Sequence, residues 1–187
     1  MRLLFIGILC LISVNVYAVN EDLAKNKAIS DEITQGCLDN RQKILAISHY
    51  VYLKLKPDAS KGITPEMQMN TSDRLESGIG WCNHQVSVFM RLCEAQHIKT
   101  RMLYLINKEG TSSPHTIGEA YLDGKWVIVD PQNDLQGLYS RYEALHNPQL
   151  LIDELRKQEK FKAYTEEQFK DFIDLYTNPA LLVYGLE

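Results

Sequence analysis

Apolar residues recur at intervals of three and four from Asn40 to Lys56, where Ile44, Ile47, Val51 and Leu55 share one face. The pattern predicts a helix capped by Asp39 and stopped by Pro57. A second face, formed by Val86, Phe89, Met90 and Cys93, predicts a helix from Cys82 to Gln96. Between the two, Thr64-Pro65 reads as the start of a short helix, and Ser72 to Gly80, with two nearby glycines, reads as a turn. Ahead of them, Ala24 to Gly36 is polar with a weak helical signal. The period then changes to two, and Arg101 to Ile106, Thr116 to Leu122 and Lys125 to Val129 are expected to be three strands. Past Pro131 helices return: Ser140 to His146, a run opened by Asn147-Pro148 and reaching about Ala163, and a last helix to Tyr176 behind a Thr165/Gln168 capping box. Helices gathered around one antiparallel sheet make an α+β domain.

Composition narrows the class further. With 187 residues, 45 % hydrophobic and 24 % charged, usage is that of an ordinary globular domain. A net charge of −4, with no basic run longer than two residues, argues against a nucleic-acid partner. The first eighteen residues stand apart. Met1-Arg2, the apolar run Leu3 to Val14 and then Val16-Tyr17-Ala18 have the form of a cleaved secretory signal. The run is shorter than the ~20 residues needed to cross a bilayer. The expectation is a leader over 1–18 and one domain over 19–187, periplasmic or secreted, without a stable membrane span in the mature chain.

Three cysteines then remain, Cys37, Cys82 and Cys93, and in an oxidising compartment an odd count leaves at least one unpaired within the chain. Cys82 and Cys93 lie about 16 Å apart along one helix, too far to bridge. A Cys37–Cys93 disulfide is the pairing that spares Cys82, the alternative being that Cys93 packs as a small apolar side chain.

Cys82 stands at the predicted start of its helix, where free N–H groups and the helix dipole favour a thiolate. Asp123-Gly124 is a signal for a two-residue hairpin loop, which pairs Leu122 with Lys125, Glu119 with Ile128 and Ile117 with Asp130. In that register His115, Ile117, Glu119 and Tyr121 share a face with Trp126, Ile128 and Asp130. His115 and Asp130 become diagonal neighbours, at the spacing a carboxylate needs to orient an imidazole. A nucleophile, a base and an orienter are therefore available.

The residues that carry this chemistry also resemble a known family. Gly80-Trp81-Cys82 heading a helix, Arg91 to Arg101 running into a strand, His115 before a strand and Trp126-Val127-Ile128-Val129-Asp130-Pro131 are similar to the core of the transglutaminase-like superfamily. The resemblance spans Ser72 to Pro131. It implies a papain-like fold, with the catalytic helix packed on a small antiparallel sheet and further helices at both ends. It also implies Cys82 as nucleophile, His115 as base and Asp130 as orienter. Two positions depart from the family pattern, His97 where glycine is usual and Ile117 where an aromatic residue is usual. Members include proteases, enzymes that cross-link or deamidate glutamine, enzymes that cleave glycan–asparagine linkages, and inactive forms, so fold does not choose among them.

Other candidates surround the three. Glu119, on the face of His115, is placed to hold a substrate amine or to brace a neighbour. Trp81 is placed to line a groove. The Cys82 N–H is the natural first oxyanion donor, with Gln68, Asn83 or Trp81 as the second. The loop Asn107 to Pro114 is placed to gate the site. His84 is two residues from Cys82 and does not share its helix face, no other His and Cys have zinc spacing, and Asn133 and Asp134 stand in no oxygen-ligand loop motif, so no metal or other cofactor is expected. The reading is an exported cysteine enzyme acting on amide or peptide bonds of a protein or peptide through a thioester. Hydrolysis is favoured over amine transfer. The alternative is a non-catalytic binding module of a cell-envelope or polysaccharide assembly.

Overall fold

In the computed structural model, which describes residues 22–58, 69–107, 109–177 and 181–185, the Asp39 side chain accepts from the Gln42 N–H at 2.8 Å and opens the expected helix. The first helix, α1, covers residues 22–33, and α2 is Asn40–Lys54. The latter ends two residues earlier than its apolar pattern because Leu55 turns extended and Lys56 pairs with Ile79 in a parallel bridge. Lys56 N–H donates to the Gly78 carbonyl and Gly80 N–H to the Lys56 carbonyl, each at 3.0 Å.

Much of the segment expected to be a turn is helical. Asn70 caps α3 (Thr71–Ser77) by accepting from the Asp73 N–H, and Gly78, at φ 68°, makes the left-handed stop. The cap outweighs the glycine signal, which belongs only to the end of the segment. The next helix, α4 (Cys82–Glu94), begins at Cys82 as expected.

The sheet contains β1 (Thr100–Leu105), β2 (His115–Leu122), β3 (Lys125–Val129) and β4 (Leu181–Gly185) in the order β3-β2-β1-β4, antiparallel throughout. Asp123 and Gly124 both have positive φ, as the two-residue hairpin requires, and the register pairs Leu122 with Lys125 and Glu119 with Ile128. The fourth strand was not expected. Its partner is β1, far upstream, so no local turn signals the pairing.

Helices cover both faces. Ala120, Leu122, Val127 and Val129 meet Val86, Phe89, Leu92 and Cys93 of α4, with Ile44 and Ile47 of α2 behind them. Gly118 lets α4 approach closely, since a Cβ there would lie 3.4 Å from the Phe89 ring. On the other face Leu103, Leu105, Ile117 and Ile128 pack under α5 (Arg141–His146), α6 (Gln149–Arg156) and α7 (Glu166–Thr177). The run expected to reach Ala163 stops at Arg156, and a single 3-10 turn, Glu159–Phe161, follows the extended Gln158. This break carries Phe161 into the core beside Tyr164, Phe169 and Phe172.

Cys37, Cys82 and Cys93 are all free. The expected Cys37–Cys93 bridge is not formed, because Cys93 is fully buried as a core side chain of α4 while Cys37 sits partly exposed after α1. The leader, with Cys10, and the helix expected from Pro65 lie outside the described residues. Among the described residues no helix is long and apolar enough to cross a membrane.

Candidate active site

The chain entering Cys82 is held from two sides. The Lys56 bridge fixes Gly78 to Gly80, and the buried Gln85 amide donates to the Leu55 and Gly80 carbonyls at 3.0 and 3.2 Å. Gly80 is packed tightly, with a Cβ there 3.3 Å from both Leu55 and His84 side chains. Trp81 is the helix cap, and its N–H donates to His84 Nδ1 at 3.2 Å. That bond leaves the His84 proton on Nε2, which has no hydrogen-bond partner among the described residues. Among the described residues no group of three His, Cys, Asp or Glu side chains is arranged to hold a metal.

His115 begins β2 and Asp130 follows the last residue of β3. The hairpin register makes them meet: His115 Nε2 lies 2.8 Å from Asp130 Oδ2. Both are shielded, His115 at 6 % exposure and Asp130 at 0 %. Since Nε2 faces the carboxylate, Nδ1 is the ring nitrogen left for the Cys82 thiol, with which His115 is hydrogen-bonded. Asp130 is also the cap of the turn Pro131–Asn133, its Oδ1 accepting from the Asn133 N–H at 3.1 Å.

Burial opposes charge on each of these groups, and pairing overcomes it. Burial pulls the His115 imidazole down, but the Asp130 charge and hydrogen bond, helped by Cys82, push it up to about 10. Burial pushes the Cys82 thiol up, yet the hydrogen bond and charge of His115, with hydrogen bonds involving Thr116, bring it below its ordinary value. Burial likewise raises Asp130, while His115, Tyr176 and Asn133 hold its carboxyl below the usual range. Cys93 has no such partners, and burial alone pushes its thiol well up. Thiolate and imidazolium are thus favoured together. Acid returns Cys82 to the thiol as pH falls through its lowered value, and alkali removes the His115 proton as pH rises through about 10.

Two contributors escaped sequence reading. Asn133 Nδ2 donates to Asp130 Oδ2 at 2.6 Å, and the Tyr176 hydroxyl donates to the same oxygen. Asn133 had a signal, since Asp-Pro-x-Asn is a cap followed by proline in the first turn. Tyr176 had none, because it arrives from α7 by packing alone.

The remaining candidates are distributed differently. Glu119 lies on the His115 face but four residues along the strand, about 13 Å away. It is 1 % exposed, and Arg101, directly opposite on β1, donates from Nε to its Oε2 at 2.6 Å. The guanidinium lies 4.2 Å over the Trp126 ring. The carboxylate is therefore engaged in bracing β1 to β2, and it is not open to a substrate amine. Asn83 lines a cavity of about 570 Å³ with Thr71, Arg74, Ser87 and Tyr104. Gln68 lies outside the described residues. In the loop before His115, the Asn107 side chain accepts from the Thr111 and Ser112 N–H groups at 2.9 and 3.2 Å.

The family model of the transglutaminase-like superfamily matches residues 27–131. No curated protein matches the chain. Among solved structures, a protein of Cytophaga hutchinsonii provisionally described as a cysteine protease aligns with a TM-score of 0.51 at 23 % identity. The alignment covers 63 % of this chain and 41 % of that one. A protein of Parabacteroides distasonis, provisionally described as a protease, aligns with a TM-score of 0.47 at 14 % identity, over 60 % of this chain and 25 % of that one. This chain thus spans less than half the length of either neighbour.

Proposed function

We propose that this chain, which belongs to the transglutaminase-like superfamily, is an exported cysteine hydrolase of amide or peptide bonds in a protein or peptide. The observation that carries the reading is the line of three groups: a thiol at the start of α4, hydrogen-bonded to an imidazole that is itself 2.8 Å from a fully buried carboxylate. In this reading the Cys82 thiolate attacks the carbonyl carbon, and the resulting oxyanion accepts from the Cys82 N–H at the free end of the helix. His115 then gives its Nδ1 proton to the departing nitrogen, the C–N bond breaks, and a Cys82 thioester remains. A water molecule loses a proton to Nδ1 as it adds to the thioester. The C–S bond then breaks, releasing the acid and restoring thiolate and imidazolium. Asp130 keeps Nε2 protonated and directed away from the thiol, so that Nδ1 does the proton transfer.

Water is favoured as acceptor because Glu119, the candidate for holding an amine, is occupied by Arg101. Export is supported by the leader-like residues 1–18. The test is product analysis. Wild type incubated with casein and a primary amine is expected to release free carboxylate and new N-termini, with little amine incorporated, and Cys82→Ala is expected to do neither. Dominant amine incorporation would replace the hydrolase with a transferase. Full biological activity in a folded Cys82→Ala protein would leave the binding-module reading standing.

A further inference from the structure

The family match stops at residue 131, directly after Asp130, yet two of the groups that hold this carboxylate, Asn133 and Tyr176, come from beyond that point. Three converge on one oxygen. Oδ2 receives His115 Nε2, Asn133 Nδ2 and the Tyr176 hydroxyl. Asn133 is oriented in turn by Lys160, whose Nζ lies 2.6 Å from Asn133 Oδ1. An ammonium only donates, so it fixes which end of the amide is oxygen and turns Nδ2 toward Asp130. The same Nδ2 is 3.1 Å from the Tyr176 oxygen, which lets Tyr176 accept from Asn133 while donating to Asp130. Gln158 adds a hydrogen bond to the Asn133 carbonyl. Tyr176 itself is fully buried, its ring 5.1 Å from that of Phe172 and 6.0 Å from that of His115.

We propose that Tyr176 is a positioning residue for the reaction, and that with the Lys160–Asn133 pair it holds Asp130 in the orientation that faces His115. The inference rests on the hydrolase reading. A carboxylate turns readily about its last torsion, which is broad and weakly restricted. The hydroxyl and the amide restrict it, and they stabilise its charge in a site without water contact. Without the hydroxyl, Asp130 is a less fixed partner for the imidazolium, and the thiolate beside that imidazolium is less favoured. The titratable groups around His115 are Cys82 from α4, Asp130 from the end of β3 and Tyr176 from α7, with Lys160 acting on Asp130.

The test measures the rate of Cys82 alkylation by iodoacetamide against pH in the full chain, following the Cys82 peptide by mass so that Cys37 does not interfere. Tyr176→Phe keeps the ring and removes only the hydroxyl. The midpoint is expected to rise by about one pH unit, and alkylation near pH 6 to slow about tenfold, with the circular dichroism spectrum unchanged. Lys160→Met leaves the core intact and carries the test alone if Tyr176→Phe does not fold, with about threefold slowing expected. A profile superimposed on wild type, even with a lowered melting temperature, overturns the proposal because the residue then only packs. A midpoint that falls overturns it too, since the hydroxyl would then compete with His115 for Oδ2. A wild-type midpoint near that of a free thiol, about 8.5, is a separate result that overturns the hydrolase reading and this proposal with it.

Discussion

The segment from Cys82 to Asp130 and the helical layer from Arg141 to Thr177 make different contributions to one site. In the first, each reacting group is set by local geometry: a helix start for Cys82 and a hairpin register for His115 and Asp130. The second supplies no group of the three, but its Tyr176 donates to the carboxylate and its Lys160 acts on the carboxylate through Asn133. It also covers the sheet face on which Ile117 and Ile128 are buried. The contrast suggests that chemistry resides in the core and that its precision depends on a layer packed against it.

The largest effects should come from the core. Cys82→Ala and His115→Ala are expected to lower turnover about a thousandfold or more, and Asp130→Ala about a hundredfold, each with a native spectrum, as steady-state assays would show. A folded Asp130→Ala protein with wild-type turnover would remove the orienter from the core's contribution.

Arg101→Ala sharpens the comparison from the opposite side. It removes the hydrogen-bonding guanidinium from the buried Glu119 carboxylate and leaves Arg141 as a nearby charge, so a loss of about 2 kcal/mol is expected in urea unfolding. Turnover at a temperature where the protein stays folded should change less than about twofold, because β1 and β2 are braced far from Cys82. Lost turnover at unchanged stability would instead place Glu119 in the site. A smaller effect is expected from Ser140→Ala. The Ser140 hydroxyl accepts from the Glu143 N–H at 3.1 Å, while the Glu143 carboxylate accepts from the Ser140 N–H at 2.7 Å. Losing the serine cap should cost about 1 kcal/mol by thermal melting, and turnover should not change.

The same division explains what could be read from sequence. The hairpin was legible because Asp123-Gly124 fixes a register, and the register alone brings His115 to Asp130. Cys82 was legible because the periodic face of α4 starts beside it. Glu119 was placed on the correct face but not with its partner, since Arg101 belongs to a strand whose pairing has no turn signal. Asn70 was overlooked because two glycines drew the segment toward a turn. Tyr176 and β4 depend on contacts far apart in the chain, and side-chain period says nothing about which distant element they will meet. The closeness of Gly118 to Phe89 is likewise a contact between distant elements that side-chain period does not announce.

The most direct test of an activated thiol is the ultraviolet absorbance of the Cys82 thiolate, taken against pH as the difference between wild type and Cys82→Ser so that Cys37 and Cys93 cancel. The charge and hydrogen bond of His115, outweighing burial, predict a midpoint below the ordinary value of about 8.5, and the midpoint should return toward or above that value in His115→Ala. A midpoint at or above about 8.5 in wild type, unmoved by His115→Ala, would contradict the account.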